Sequence, residues 1–512
     1  MVVQRVCVIG AGVSGLVTAK TFTEEGYEVL VYEKQDALGG VWKKSRRYPN
    51  VRTQTPGRMY SYPDYPLPDS YPEWPSGEQV NAYLESYANH FKLLSKIQYG
   101  TEVITLKAIE NGHKGWQVTT RKCDKTTIET SCFDFVVICN GVNHIPYLPE
   151  IPGIDKFKLN GGTVLHSTEF NSTTQLEGKN VVVVGFGKSA CDIAMLAVEH
   201  ALSCHIVFRQ PDWKVPRFFC GLINSKKLFL TRCAESMTPK YKPNLIERWL
   251  HSHGESLVNG FWKLQEFIIR YTFGLDACGL VPKKPLIKSI VAKINFAPKN
   301  FYKYIRNNKI IPHQTSITKF VEDGIELASG EKLNPHLVIF GTGFKQAIPF
   351  LEEKYRQLCL DNEGYFHLYR NLIHPQIPNL AFVGYNAGLS ATLTSDIGAL
   401  WLVQFLKGNI KKPGTHQMLA EMEADLEWRK QNGYAGYGGT CFFSSTFHYL
   451  DTLMSDMGLP TRQTGSLAAI MKPLDSQAYS NAREELKKLY GSKIEYSTDK
   501  SQLQFEHSST HQ

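Results

Sequence analysis

Twice in this chain a short apolar run meets a glycine-rich turn and passes directly into helically spaced residues. The first instance is Val6 to Ile9, the turn Gly10-Ala11-Gly12-Val13-Ser14-Gly15, helical spacing over Gly15 to Glu25, and a second strand-like run over Glu28 to Tyr32. The second is Val181 to Val184, the turn Gly185-Phe186-Gly187-Lys188-Ser189-Ala190, a helix to about His200, and a strand over His205 to Phe208. A turn of this spacing, in this position between strand and helix, suits a pyrophosphate. Its glycines allow a tight bend and a close approach of phosphate to backbone N–H groups, and the helix N-terminus favours negative charge. Alanine at the third glycine position is tolerated because helix packing needs only a small residue there. Two such units 175 residues apart constrain the chain to an α/β fold with two Rossmann-like dinucleotide-binding domains.

The residues after each second strand separate the two ligands. Glu33, eighteen residues after Gly15 and followed by Lys34, can accept hydrogen bonds from a ribose diol, as a flavin adenine dinucleotide (FAD) site requires. The second unit has no such acid. Phe208 runs into Arg209, with Lys214 and Arg217 close behind, so a 2′-phosphate meets a guanidinium and NADPH is favoured over NADH. Gly39-Gly40-Val41-Trp42 would let the backbone pass close to the first cofactor while Trp42 covers it. An amphipathic helix expected over Ser395 to Leu406, with Asp396 in its first turn, would direct a helix N-terminus at the flavin.

At 512 residues the chain is long enough for two or three domains. Strand-like segments at Val103 to Leu106, Gly115 to Thr120 and Phe133 to Cys139 suggest an antiparallel excursion and return, and Pro146, Pro149 and Pro152 then break regular structure. A matching return at Leu337 to Phe340 ends in Gly341-Thr342-Gly343-Phe344. The expected organisation is an FAD domain in two parts, residues 1–160 and 336–512, around an NADPH domain over 161–335 that carries a helical insert over 217–309. Lys214 to Lys309 holds 18 Lys and Arg against 5 Asp and Glu, a surplus of +13 that leaves the rest of the chain at −4 within a net +9. The insert is also aromatic-rich. Three readings fit it: an amphipathic surface resting on an anionic membrane or on a second subunit, a lid over a substrate tunnel, or a subdomain with a core face and a solvated face. No nucleic-acid recognition motif accompanies the charge, so nucleic acid is not an expected partner.

Eleven cysteines without CxxC spacing argue against a disulfide framework, a zinc site or a redox dithiol. The first strand starts within a few residues of Met1, no apolar run approaches the roughly 18 residues that span a bilayer, and Ser492 to Gln512 is polar. A cytoplasmic enzyme is expected. No Ser-His-Asp, Cys-His or metal-ligand arrangement is discernible, which leaves the chemistry to the cofactors.

The two fingerprints, Gly39-Gly40-Val41-Trp42, the Gly-Thr-Gly-Phe turn and Gly162-x-x-x-His166-x-x-x-Phe170 together resemble the flavin-containing monooxygenase family, class B flavoproteins, in the manner of its plant-type members. The similarity extends from about Arg5 to Leu406. The family's identifying sequence starts with Phe where this chain has Asn160, and Phe170-Asn171 lacks the Trp-Pro or Trp-Asp ending of Baeyer–Villiger relatives. The resemblance implies that NADPH reduces FAD and that O2 then forms a hydroperoxyflavin, which oxygenates a soft nucleophile: an amine nitrogen or a sulfur of a small molecule, an amino acid included. It implies a linking role for His166 beside the cofactors. It also implies cofactor contacts from Thr53, Gln54, Thr55 and Val103, with Gln54, one methylene longer, in the place of the family's peroxide-supporting Asn. The alternatives are a Baeyer–Villiger oxygenase, a flavin disulfide reductase, which the lack of paired cysteines disfavours, and a flavin- and NADPH-binding oxidase or regulator.

Overall fold

The computed structural model describes residues 3–109, 115–124, 126–219, 221–291, 295–386, 388, 390–411, 413–434 and 445–491. The polar tail Ser492 to Gln512 lies outside the described residues.

Two five-stranded sheets carry the fold, and every pairing within them is parallel. In the first, Arg5–Ile9 lies at the centre between Glu28–Tyr32 and Phe135–Ile138, with Ile97–Gln98 and Leu380–Phe382 at the edges. In the second, Asn180–Val184 lies between Ser203–Phe208 and Leu337–Phe340, with Ile311–Gln314 and Thr163–His166 at the edges. After Arg5 and Asn180 the central strands are apolar, and Val6 to Ile9 and Val181 to Val183 are buried, as strands covered on both faces must be. In each sheet the fingerprint turn leaves the central strand beside the returning strand, where connections diverge to opposite faces and ligands bind. Both units also carry a three-stranded antiparallel excursion just before the returning strand: Thr101–Ala108, Trp116–Lys122 and Ile128–Phe133 in one, Ile317–Val321, Gly324–Leu327 and Lys332–Leu333 in the other.

The first unit is discontinuous. Its edge strand Leu380–Phe382 and the helix Ala391–Leu406 come from beyond the second unit. The expected boundary at 336 falls just ahead of Leu337–Phe340, which pairs in the second sheet, so the chain leaves that sheet only after Phe340. Pro146 does not interrupt structure as expected. Ile145–Pro146 pairs antiparallel with Phe344–Lys345, a ribbon made of the outgoing and returning crossings, and proline is accommodated at such an edge position.

Helix Ala391–Leu406 differs from expectation in two respects. It starts four residues early, behind Ser390, and it is buried without a break from Thr392 to Gln404 rather than amphipathic. The reason is that it packs between Val13–Glu24 on one side and Thr446–Asp456 on another. Asp396 therefore sits in the second turn, and its carboxylate is bound by both terminal nitrogens of Arg483 from the helix Ala482–Tyr490. Arg483 also reaches Thr21, Glu24 and Asp64. The placement of Asp396 at the cofactor is thus corrected: the charge ties a C-terminal helix to the first unit. Removing one member of a buried pair strands the other in a medium that cannot solvate it. Arg483→Met is expected to cost about 3–5 kcal/mol in urea unfolding, and adding Asp396→Asn should recover most of the loss.

Candidate functional site

The first cradle is shaped by lack of room. Gly10 adopts φ +107°, and a Cβ there would stand 2.7 Å from the carbonyl oxygen of Cys139, where the returning strand exits. Its own N–H donates to Tyr32 O at 2.8 Å. Glu33, buried, accepts from Ala11 N at 2.7 Å and from Gln35 N at 2.8 Å. One carboxylate thus joins the glycine turn to the loop after the second strand, and its remaining lone pairs suit a ribose diol. Gly39 N donates to Ala11 O at 3.0 Å, which draws Gly39-Gly40 against the turn, and a Cβ on Gly40 would come within 3.2 Å of the Gly12 Cα. Trp42 is oriented by its indole N–H donating to Tyr60 Oη at 2.7 Å, while Val41 faces outward. Ser14 meets Ser395 Oγ–Oγ at 2.9 Å, and Tyr62 Oη donates to Val13 O. Lys34 is exposed and pairs loosely with Glu102, and Val103 is buried in the neighbouring excursion.

Two hydroxyls in this region are buried with no protein partner: Thr53 Oγ1, and Thr392 Oγ1 in the first turn of Ala391–Leu406. A buried polar atom left unpaired costs about 1–3 kcal/mol. Orphans beside a glycine cradle and a ribose-binding acid fit FAD.

The second cradle repeats the first with one exchange. Gly185 adopts φ +116°, a Cβ on it would stand 2.6 Å from Gly341 O, and its N–H donates to Val207 O at 2.8 Å. In the first unit the third glycine, Gly15, faces the Cβ of Cys139; in the second, Ala190 faces Gly341, where a Cβ would approach Ala190 to 2.8 Å. The side chain has moved from strand exit to helix, and the space between them is conserved. Lys188 pairs with Asp192, which also accepts from Tyr48 Oη at 2.8 Å, so a first-unit loop is anchored on the second-unit helix beside Ser189. Arg209 stands exposed at the end of Ser203–Phe208, and among the described residues no carboxylate pairs with it. The other two expected cations lie elsewhere. Lys214 is buried, donates to Phe186 O at 2.5 Å and lies 4.6 Å over that ring, which braces the fingerprint from behind. Arg217 lies over Trp74 at 5.4 Å.

Between the cradles, His166 is buried, which pushes its pKa down. Thr168 N donates to its Nδ1, so Nε2 carries the proton and donates to Gly343 O at 3.0 Å. Gly343 O also accepts from Tyr147 N, and Thr342 Oγ1 donates to Tyr147 O. His166, Thr342 and Gly343 accordingly hold the crossing ribbon together, and the imidazole has no nitrogen left for a cofactor. Phe170 is buried, and Asn160 ends the helix Ile154–Leu159 and donates to Glu322 O. The space behind Gly162 is filled by Phe157.

Gln54 accepts from Phe296 N, in the insert, at 3.2 Å. Because a backbone N–H can only donate, the amide oxygen faces Phe296 and Nε2 is the free end. The contributions of Tyr48, Asp192, Phe296 and Thr392 lay beyond sequence reasoning. Only Thr392 left a signal, since Ser390 is a suitable residue ahead of a helix.

Two pyrophosphate cradles, one ending in a carboxylate and one in an arginine, define a flavoprotein oxidoreductase that uses two dinucleotides. Residues 3–460 match the flavin-binding monooxygenase-like family, and the chain belongs to it. It is 28% identical to probable flavin-containing monooxygenase 1 of Arabidopsis thaliana, over 94% of this chain and 97% of that protein. It is 30% identical to flavin-containing monooxygenase 1 of Homo sapiens, over 88% and 82%. Similar solved structures include S-allyl-L-cysteine S-oxygenase from Allium sativum, with a TM-score of 0.62 at 20% identity over 97% and 95% of the chains. The OTEMO complex with FAD and NADP aligns with a TM-score of 0.63 at 21% identity over 83% and 89%. The chain is an FAD-dependent monooxygenase that uses NADPH. Arg209→Ala is expected to reduce the NADPH-over-NADH ratio of kcat/KM by about 10- to 100-fold, the range for losing hydrogen bonds to a charged group; an unchanged ratio would remove Arg209 from the 2′-phosphate site.

Proposed function

We propose that the enzyme transfers one atom of O2 to an amine nitrogen or a sulfide sulfur of a small molecule, amino acids included, with FAD on the first unit and NADPH on the second. The observation that carries this reading is Gln54. Its oxygen is held by Phe296 N, so Nε2 is left as a donor, one residue from the unpartnered hydroxyl of Thr53. The flavin, once reduced by NADPH, supplies the activated oxygen. The part of this chain is to present donors and keep water away, since hydrogen bonds in a dry site stabilise developing charge far better than in solvent. Phe170-Asn171, in place of a Trp ending, favours heteroatom over Baeyer–Villiger oxygenation.

The test compares NADPH consumed with hydrogen peroxide released and oxygenated product formed across a panel of amines and sulfides. Most of the NADPH should appear as product with a good acceptor. Gln54→Ala should shift the balance toward peroxide by about 10-fold or more, the size of one lost donor at a preorganised site. Peroxide in full yield with every acceptor would leave an NADPH oxidase.

The insert suggests an anionic membrane surface as a peripheral partner of this otherwise cytoplasmic enzyme. No described helix is long and apolar enough to cross a membrane. Leu245, Ile246 and Trp249 on Leu245–Ser252, and Leu264, Phe267 and Tyr271 on Glu255–Phe273, are more than half exposed, within the segment that holds the +13 surplus. Apolar side chains rimmed by lysine and arginine suit a negatively charged interface, at about 1 kcal/mol per basic residue. Vesicles containing phosphatidylserine should sediment the protein at low salt, and Trp249→Ser with Phe267→Ser should abolish this. Loss of a dimer by the same pair, with no vesicle binding in the wild type, would assign the face to a second copy instead.

A further inference from the structure

A cluster of buried polar groups without protein partners lies beside Gln54, next to the helix that follows the second fingerprint. Trp74 is buried and its Nε1 has no partner; Arg217 Nε is buried with none; Thr53 Oγ1 and Asn295 Nδ2 are in the same condition. These residues come from three connected segments. Thr53 N donates to Pro75 O, next to Trp74. Arg217 lies over the Trp74 ring, and Arg52, exposed, donates from Nη1 to Trp74 O at 3.1 Å. Lys214–Val215 pairs with Asn295–Phe296, so Val215, two residues before Arg217, is in register with the Phe296 whose N–H holds Gln54. Burial works against the charge of Arg217, with Asp192 countering it and Arg52 adding to it. Asp192, however, is already engaged by Lys188 and Tyr48. Among the described residues the place joins two guanidinium groups to several unpartnered polar atoms, while Glu73, next to Trp74, is engaged by Lys226 and Asn224.

We propose that Arg52 and Arg217, astride Trp74, bind a carboxylate of the substrate, so that the acceptor is a carboxylate-bearing amine or sulfide of the amino-acid type. This rests on the oxygenation reading above. A planar carboxylate matches the guanidinium fork, and a charge-assisted bond in a partly desolvated site is about twice as strong as a neutral one. On the reading above the phosphates of NADPH would take other places, on the turn Gly185 to Ala190 and at Arg209. Arg52, by contrast, comes from the first-unit loop that carries Gln54, and Arg217 from the insert. A carboxylate held there would leave the nitrogen or sulfur of the same molecule to face the Gln54 side.

The experiment titrates the FAD-loaded enzyme, with NADP⁺ bound, with S-allyl-L-cysteine and with 2-(allylthio)ethylamine, which has the same sulfide and amine but no carboxylate. Perturbation of the flavin absorbance reports binding. The wild type should favour the amino acid by about 10-fold or more, the effect of one hydrogen bond to a charged group. Arg52→Met and Arg217→Met should each bring the ratio close to one, and Arg217→Lys should restore part of it. Affinity for NADP⁺, titrated separately, should stay within about twofold, a change of only ~0.4 kcal/mol. Because Arg52 is exposed, its variant tests the idea without endangering the fold. Equal binding of the two ligands by the wild type, or binding of neither, overturns the proposal. So does a loss of NADP⁺ affinity that matches the loss of amino acid, which would assign both arginines to the nucleotide. The peroxide-to-product balance is measured independently: good coupling without carboxylate preference defeats this proposal alone, and peroxide alone with an intact preference defeats only the oxygenation reading.

Discussion

The structure depends on how closely a helix, a strand exit and a glycine turn approach one another. At Gly10 and Gly185 the carbonyl of the neighbouring strand exit occupies the position a side chain would take. This contact places the helix start over the end of the central strand, with its first N–H groups turned toward the space where a pyrophosphate belongs. Glu33 then joins the first turn to the loop after the second strand, while the matching place in the second unit holds the exposed Arg209. The exchange of Cys139 and Gly15 for Gly341 and Ala190 shows that the conserved quantity is the gap, not the residue at any single position.

A second level of organisation joins the two units. Tyr48 reaches from the first unit to Asp192 on the second, and Gln54 reaches to Phe296 in the insert. The loop carrying both residues is thereby fixed at two points by partners from the other side of the cleft. The donor expected to act near the flavin is oriented by a backbone group some 240 residues away in sequence, which no local pattern could have specified.

This accounts for what was legible in the sequence. The two glycine turns and the parallel units could be read directly, because their geometry is dictated by neighbours within one strand–helix–strand stretch. Asp396 could not. Its type and position suit a helix start, but its role was decided by Arg483, 87 residues on. Lys214 looked like a companion of Arg209 until a buried carbonyl, Phe186 O, claimed it. The hydrogen bonds of His166 go to the crossing, to Gly343 O and from Thr168 N, partners that its type and spacing did not indicate. Charged and polar residues can choose among many partners, whereas a glycine with no room beside it has no choice.

The crossing ribbon has a mechanical meaning. Ile145–Pro146 and Phe344–Lys345 run side by side, and His166 and Tyr147 both bond to Gly343 O at its edge. Two covalent connections joined in this way act as one strip, and with Tyr48 bonded to Asp192 and Gln54 to Phe296 the two units are tied to each other at separate places. A site assembled from both units keeps its parts in register when the crossings are held together in this way, because neither crossing can shift without carrying the other.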